Sequence, residues 1–218
     1  MIAFFDLDRT LLAANSASLW IRAELREGRI RRRDAAVAAS WILRYQLGVA
    51  ELEDALRSAA ETLTGQHEAE LRARTRAFWD RELAHRIRPG ARTAVQRERA
   101  RGRRLVLLTS SSPYMSEPAL EALDLDDILC NRFVVDGEGR FTGKAVEPLC
   151  FGPGKVTHAR AFADAAGVDL TDCSFYTDSY SDLAALEAVG EPVVVAPDVR
   201  LRRAARRRGW PIADWTGA

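Results

Sequence analysis

The feature that most constrains this chain is a set of short runs that stay apolar at consecutive positions. They are Ile2–Phe5, "RLVLLTS" (Arg104–Ser110), "CSFYTD" (Cys173–Asp178) and "PVVVAPD" (Pro192–Asp198). A strand with one wet face alternates apolar and polar residues, whereas a run apolar throughout needs cover on both faces. Helical patterns fill the intervals, over residues 90–101, 115–123, 155–166, 181–189 and 198–208. Strand and helix alternating at this spacing predict an α/β fold, an open and mostly parallel sheet with helices on both faces.

One long stretch breaks the alternation. Between residues 14 and 87 no strand signal occurs, yet apolar residues recur at helical spacing: Val37, Trp41 and Tyr45, then Leu52, Leu56 and Leu63, then Leu71, Phe78 and Leu83 with Trp79. Leu19 and Trp20 open a first helix behind Asn15, Ser16 and Ser18, any of which can cap it. The expected organisation is a core of residues 1–13 and 88–218, with residues 14–87 inserted as a four-helix cap. Trp20, Trp41 and Trp79 are read as the core of that insert. "NRFVVDGEGRFTGK" (131–144) carries Asp136-Gly137-Glu138-Gly139 between alternating residues and predicts a β-hairpin on the sheet.

A net charge of +1 gives no global field for nucleic acid or membrane, and no apolar run reaches the length of a membrane span. The arginine-rich segment 200–208 carries interleaved apolar residues and reads as a solvated helix face, so no nucleic-acid partner is expected. Cys130, Cys150 and Cys173 have neither CxxC nor Cys/His metal spacing, which suits a reduced, cytoplasmic setting. His67, His85 and His158 share no spacing. Lys144 and Lys155 are the only lysines, so any role that needs an ammonium has two candidates.

In an open parallel sheet ligands bind at the carboxyl ends of the strands. There the first run ends in Asp6, Asp8 and Thr10, the second in Thr109, Ser110 and Ser111, and the third in Asp178 with Asp182 one turn on. "FGPGK" places Lys155 at a helix start. Carboxylates crowded together repel unless a cation shares their charge, and oxygen donors without a His or Cys cluster point to Mg²⁺. A hard cation of this kind also takes a phosphate oxygen, and an aspartate can attack phosphorus. The residues therefore suit phosphoryl chemistry on a small-molecule phosphate ester.

"DLDRT" after an apolar strand, "LLTSSS", "GPGK" and "YTDSYSD" resemble, in that order, the four motifs of the haloacid dehalogenase-like hydrolases. Lys155 precedes Asp178 by 23 residues, room for one helix and one strand. The insert between the first two motifs resembles the phosphoserine phosphatase-like subfamily IB, as does the tail "PVVVAPDVRLRRAARRRGWPI". The resemblance implies Asp6 as nucleophile and Mg²⁺ ligand, and Asp8 as general acid/base with its carbonyl on the metal. It implies Thr109 and Lys155 on the phosphoryl group, helped by Ser110 and Ser111, with Asp178 on the metal and Asp182 either completing the metal set through a metal-bound water or orienting Lys155. Dehalogenases of this kind lack the second aspartate and the related ATPases carry DKTGT, so a phosphatase is implied.

Substrate choice is expected to come from the insert. Phosphoserine phosphatases carry a substrate-binding glutamate nine residues after the nucleophile; here Asn15 stands there, and Thr109-Ser110-Ser111 replaces Ser-Gly-Gly. The expectation is thus an Mg²⁺-dependent phosphomonoesterase, with a phosphoserine phosphatase proper and a non-catalytic binding protein on the same scaffold as alternatives. "RIRRRD" (29–34) and Arg44 read as a solvated face. The oligomeric state is not legible.

Overall fold

The computed structural model describes residues 1–31, 33, 36, 37, 40 and 52–215. In chain order its first half holds β1 (Ile2–Phe5), α1 (Ser16–Arg26), α2 (Leu52–Thr62), α3 (Glu68–Phe78), α4 (Pro89–Ala100), β2 (Arg104–Leu108) and α5 (Pro113–Leu123). There follow β3 (Asp127–Leu129), β4 (Phe133–Val135), β5 (Phe141–Ala145), α6 (Pro153–Ala165) and β6 (Ser174–Thr177). The chain closes with α7 (Leu183–Ala188), β7 (Glu191–Val195), α8 (Val199–Arg208) and β8 (Ile212–Ala213).

Six strands form one sheet in the order β3-β2-β1-β6-β7-β8, and every pairing in it is parallel. Phe4 at its centre faces Val106 on one side and Phe175 on the other. Period-two alternation divides the buried side chains between two cores. Ala3, Phe5, Leu105, Leu107 and Tyr176 point to the face covered by α4 and α5 through Ala91, Val95, Met115 and Ala119. Ile2, Phe4, Val106, Leu108, Phe175 and Val194 point to the other face. There α6, α7 and α8 supply Ala159, Ala163, Leu186, Leu201 and Ala205. This two-sided burial is why the strands read as continuous apolar runs. Each fully buried Phe or Leu contributes about 1.5–3 kcal/mol relative to exposure.

The sequence signals four strands of this sheet; the structure adds β3 and β8. These span three and two residues and lie at the two edges. Neither is long enough to show a period, and each pairs on one side only.

The stretch between the first two strands leaves and returns by adjacent paths. Leu12 bridges Ile87, the Ala13 N–H donates to the Arg86 carbonyl at 2.8 Å, and the Arg88 N–H donates to the Leu11 carbonyl at 2.9 Å. Trp79 and Phe78 are buried, and Trp20 meets Phe78 edge-on with ring centroids 5.1 Å apart. Trp41, Tyr45, Arg44, Arg32 and Asp34 lie outside the described residues. Val37 is exposed, contrary to its place in the expected apolar stripe.

The hairpin forms as β4 and β5, with the Glu138 and Arg140 N–H groups both on Asp136 Oδ1 at 2.9 Å. The loop between α2 and α3 is tied to it by backbone bonds. The Gly65 N–H donates to the Phe141 carbonyl, and the Phe141 N–H donates to the Gln66 carbonyl. Leu71, Tyr114 and Phe141 close a small core between the insert, α5 and the hairpin.

Candidate active site

At the end of β1 the Asp6 N–H still donates to the Tyr176 carbonyl at 2.9 Å, so the sheet fixes this backbone. The chain then makes one wide turn, closed by the Leu12 N–H on the Leu7 carbonyl at 2.9 Å. Within it Asp8 is extended and Arg9 is left-handed, with φ 59°. The turn carries Asp6, Asp8 and Thr10 past the ends of β1 and β6.

Lys155 comes to Asp6 from the opposite core. It is the third residue of α6, and its side chain is buried to 1% exposure. The glycine before it is required, because a Cβ on Gly154 would collide with the Leu149 carbonyl. Lys155 Nζ donates to Asp6 Oδ1 and to Asp182 Oδ2, each at 2.8 Å. The Thr177 hydroxyl donates to the same Asp182 oxygen at 2.6 Å, and the Thr10 hydroxyl lies 3.4 Å from Asp178 Oδ1. Residues 149 positions apart in the chain thus share one buried charge network.

The electrostatics show an excess of negative charge. Burial pushes the Asp6 carboxyl up to about 7; Lys155 opposes the shift and the Asp182 and Asp8 charges add to it. Burial, then the charges of Asp6 and Asp182, push Asp178 up to about 8. Burial also raises Asp8, although Ser16 stabilises its charged form by two hydrogen bonds. Asp8 keeps one edge in contact with solvent, but the atoms packed around it still strip away most of its hydration. Burial alone would lower Lys155, and Asp182 and Asp6 more than reverse this, holding it above the ordinary lysine range. One ammonium faces four carboxylates.

The remaining expected residues fall as follows. Thr109 is buried at the end of β2, its N–H on the Leu129 carbonyl at 2.9 Å and its hydroxyl accepting from the Ser111 N–H at 3.2 Å. Ser110 and Ser111 are half-buried in the following loop. Asn15 caps α1, its side-chain oxygen accepting from the Ser18 N–H at 2.9 Å. Asp182 accepts hydrogen bonds from Lys155 and Thr177.

Three supporting residues had been given no place in the site by the sequence. Ser16, the first residue of α1, grips Asp8 with both its N–H and its hydroxyl. Thr177 fixes Asp182. Asn131 joins two loops: its Nδ2 donates to the Ser110 carbonyl and its Oδ1 accepts from the Cys150 N–H, both at 2.7 Å. The polar residues flanking each motif were the available signal, but their pairing appears only in the fold.

The four carboxylates form no closed cage of three ligand side chains among the described residues. The donor set nonetheless fits a hard divalent cation: all oxygen, buried, and carrying more negative charge than Lys155 neutralises. Cys130, Cys150 and Cys173 are buried free thiols outside this set.

A buried lysine–carboxylate network thus sits at the carboxyl ends of a parallel sheet, where open α/β folds bind their ligands. The family model for haloacid dehalogenase-like hydrolases matches residues 3–187, and the chain belongs to that family. Phosphoserine phosphatase SerB1 of Mycobacterium tuberculosis is 32% identical over 98% of this chain and 70% of its own length. Histidinol-phosphatase of Neisseria meningitidis is 26% identical over 98% of both. Among solved structures, a protein of unknown function from Bordetella pertussis superposes with a TM-score of 0.89 at 27% identity, covering 98% of both chains. A phosphoserine phosphatase with a phospho-aspartyl intermediate analogue superposes at 0.71 with 17% identity over 99% of this chain and 93% of that one, and so shares the fold.

Proposed function

We propose that the protein is an Mg²⁺-dependent phosphatase acting on a small polar phosphomonoester through a phospho-Asp6 intermediate. The observation that carries this reading is the buried Lys155 ammonium 2.8 Å from both Asp6 and Asp182 at the strand ends. Mg²⁺, held by oxygens of Asp6, Asp8 and Asp178 with Asp182 behind, would add positive charge next to the transferring phosphoryl group.

Asp6 attacks phosphorus through a carboxylate oxygen, forming the acyl phosphate as the ester oxygen leaves. Lys155 and Thr109, with the Ser110–Ser111 loop, hold the phosphoryl oxygens. Burial keeps a proton on Asp8 beyond the ordinary carboxyl range, and this proton goes to the leaving oxygen. Asp8 then takes a proton from the water that attacks phosphorus and frees Asp6. The helical insert, residues 14–87, acts as the cap that excludes bulk water and selects the leaving group.

The relatives named phosphoserine phosphatase and histidinol-phosphatase support a small polar phosphate ester as the substrate class. Asn15 is committed to capping α1, which favours a substrate other than one read through an acidic side chain at that position. Hydrolysis of an aryl phosphate tests the reading. Turnover with Mg²⁺, loss with a chelator and loss in Asp6→Asn are expected; equal turnover by wild type and Asp6→Asn would overturn it.

A further inference from the structure

Arg9 stands between two site residues, Asp8 and Thr10, in the turn that leaves β1. Its backbone is left-handed, φ 59° and ψ −6°, a conformation that glycine takes freely and that a longer side chain disfavours. The turn is held from both sides of the residue. The Arg9 N–H donates to the Ala14 carbonyl at 3.0 Å, and the Arg9 carbonyl accepts from Arg88 Nη2 at 3.1 Å. Strained residues persist where their surroundings over-determine them, and they gather at ligand-binding sites.

The side chain at this strained position is exposed and charged. Some arginines of this chain meet carboxylates, as in Arg26–Glu82, Arg74–Glu24 and Arg104–Asp127. Arg9 forms no such pair among the described residues, although its charge is felt by Asp178, which it draws down against the larger effect of burial. The phosphoryl position already has its buried cation in Lys155. An unpaired guanidinium therefore remains at the exposed rim of the same site, free to meet a different group of the substrate.

We propose that Arg9 is a specificity residue that binds a carboxylate carried by the phosphomonoester substrate. This rests on the phosphatase reading above. A guanidinium matches a carboxylate with two parallel N–H donors. The fixed left-handed turn presents it without a hydrogen-bonded acid among the described residues, although the charges of Asp8 and Asp178 act on it.

The test compares 3-phosphoglycerate with glycerol 3-phosphate, a pair that differs in the carboxylate. Wild type is expected to favour 3-phosphoglycerate by about tenfold or more in kcat/KM, chiefly through KM, as for a hydrogen bond to a charged group. The preference should weaken as salt is raised, since the rim is exposed. Arg9→Gly and Arg9→Gln should collapse the ratio towards one, and Arg9→Lys should keep part of it. Arg9→Gly also relieves the left-handed strain, so its Tm should hold or rise and the lost preference cannot come from misfolding. A wild-type ratio near one, or a ratio unchanged in Arg9→Gly, overturns the inference. If wild type hydrolyses an aryl phosphate yet shows either result, the inference falls alone; if it hydrolyses no phosphate ester, the phosphatase reading falls with it.

Discussion

Ser16 holds both carboxylate oxygens of Asp8: its N–H lies 2.7 Å from Oδ1 and its hydroxyl 3.0 Å from Oδ2. The first residue of α1 thus orients the side chain to which we assign proton transfer. Ser16→Ala removes the hydroxyl bond and leaves the N–H. Turnover of an aryl phosphate should fall about tenfold, with Ser16→Thr recovering most of it and the Tm changing little. A turnover loss that simply follows a fallen Tm would assign Ser16 to folding instead.

Among the described residues, Lys155 is the one buried cation in contact with Asp6 and Asp182. Lys155→Met leaves both carboxylates without their ammonium, and breaking a buried pair in this way costs about 3–5 kcal/mol. Urea unfolding at neutral pH should show a midpoint well below wild type, together with lost activity. A midpoint equal to wild type would mean that the network adds nothing to stability.

The far end of the sheet gives a pH prediction. Hydrogen bonds from Arg101 and Arg103 hold the Glu191 carboxyl down at about 2. A carboxyl lowered in the folded state stabilises it above the unfolded pKa, roughly 4.3, and the stabilisation is lost as pH falls through the folded value. Wild type should therefore lose more stability than Glu191→Gln between about pH 4.3 and 2. Since Glu191 is about half exposed, screening makes the effect smaller than the shift alone implies. Parallel urea midpoints for the two proteins across this range would contradict it.

Phe4 lies in the middle of the central strand and is fully buried, edge-on to Phe162 of α6 at 6.5 Å. Phe4→Ala should destabilise by about 3–5 kcal/mol, the usual cost of deleting a buried aromatic. Calorimetry would show it as a lower Tm, and an unchanged Tm would mean the two-core arrangement is wrong.

The strands that carry the site were legible because both their faces are buried, so β1, β2, β6 and β7 read as unbroken apolar runs. The edge strands β3 and β8 were not, since two or three residues paired on one side leave no period. Asp6 and Asp178 stood out because charge at the end of an apolar run needs a reason, and Lys155 because it is one of only two lysines and stands at a helix start. The grip of Ser16 on Asp8 was hidden: Asn15, Ser16 and Ser18 were equal candidates to cap α1. Only the fold shows that Asn15 caps while Ser16 turns to the carboxylate. Asn131 was invisible for a different reason, since it joins two loops that only the sheet brings together. The left-handed backbone at Arg9 had no sequence signal at all, because arginine is not a residue that advertises a positive φ.

The central claim is that Asp6 carries the phosphoryl group. Wild type mixed with a phosphate ester and Mg²⁺, quenched in acid and analysed by peptide mass spectrometry, should carry phosphate on the peptide that contains Asp6. The Asp6→Asn variant should carry none and turn over no substrate. Phosphate on another residue, or wild-type turnover by Asp6→Asn, would contradict the account.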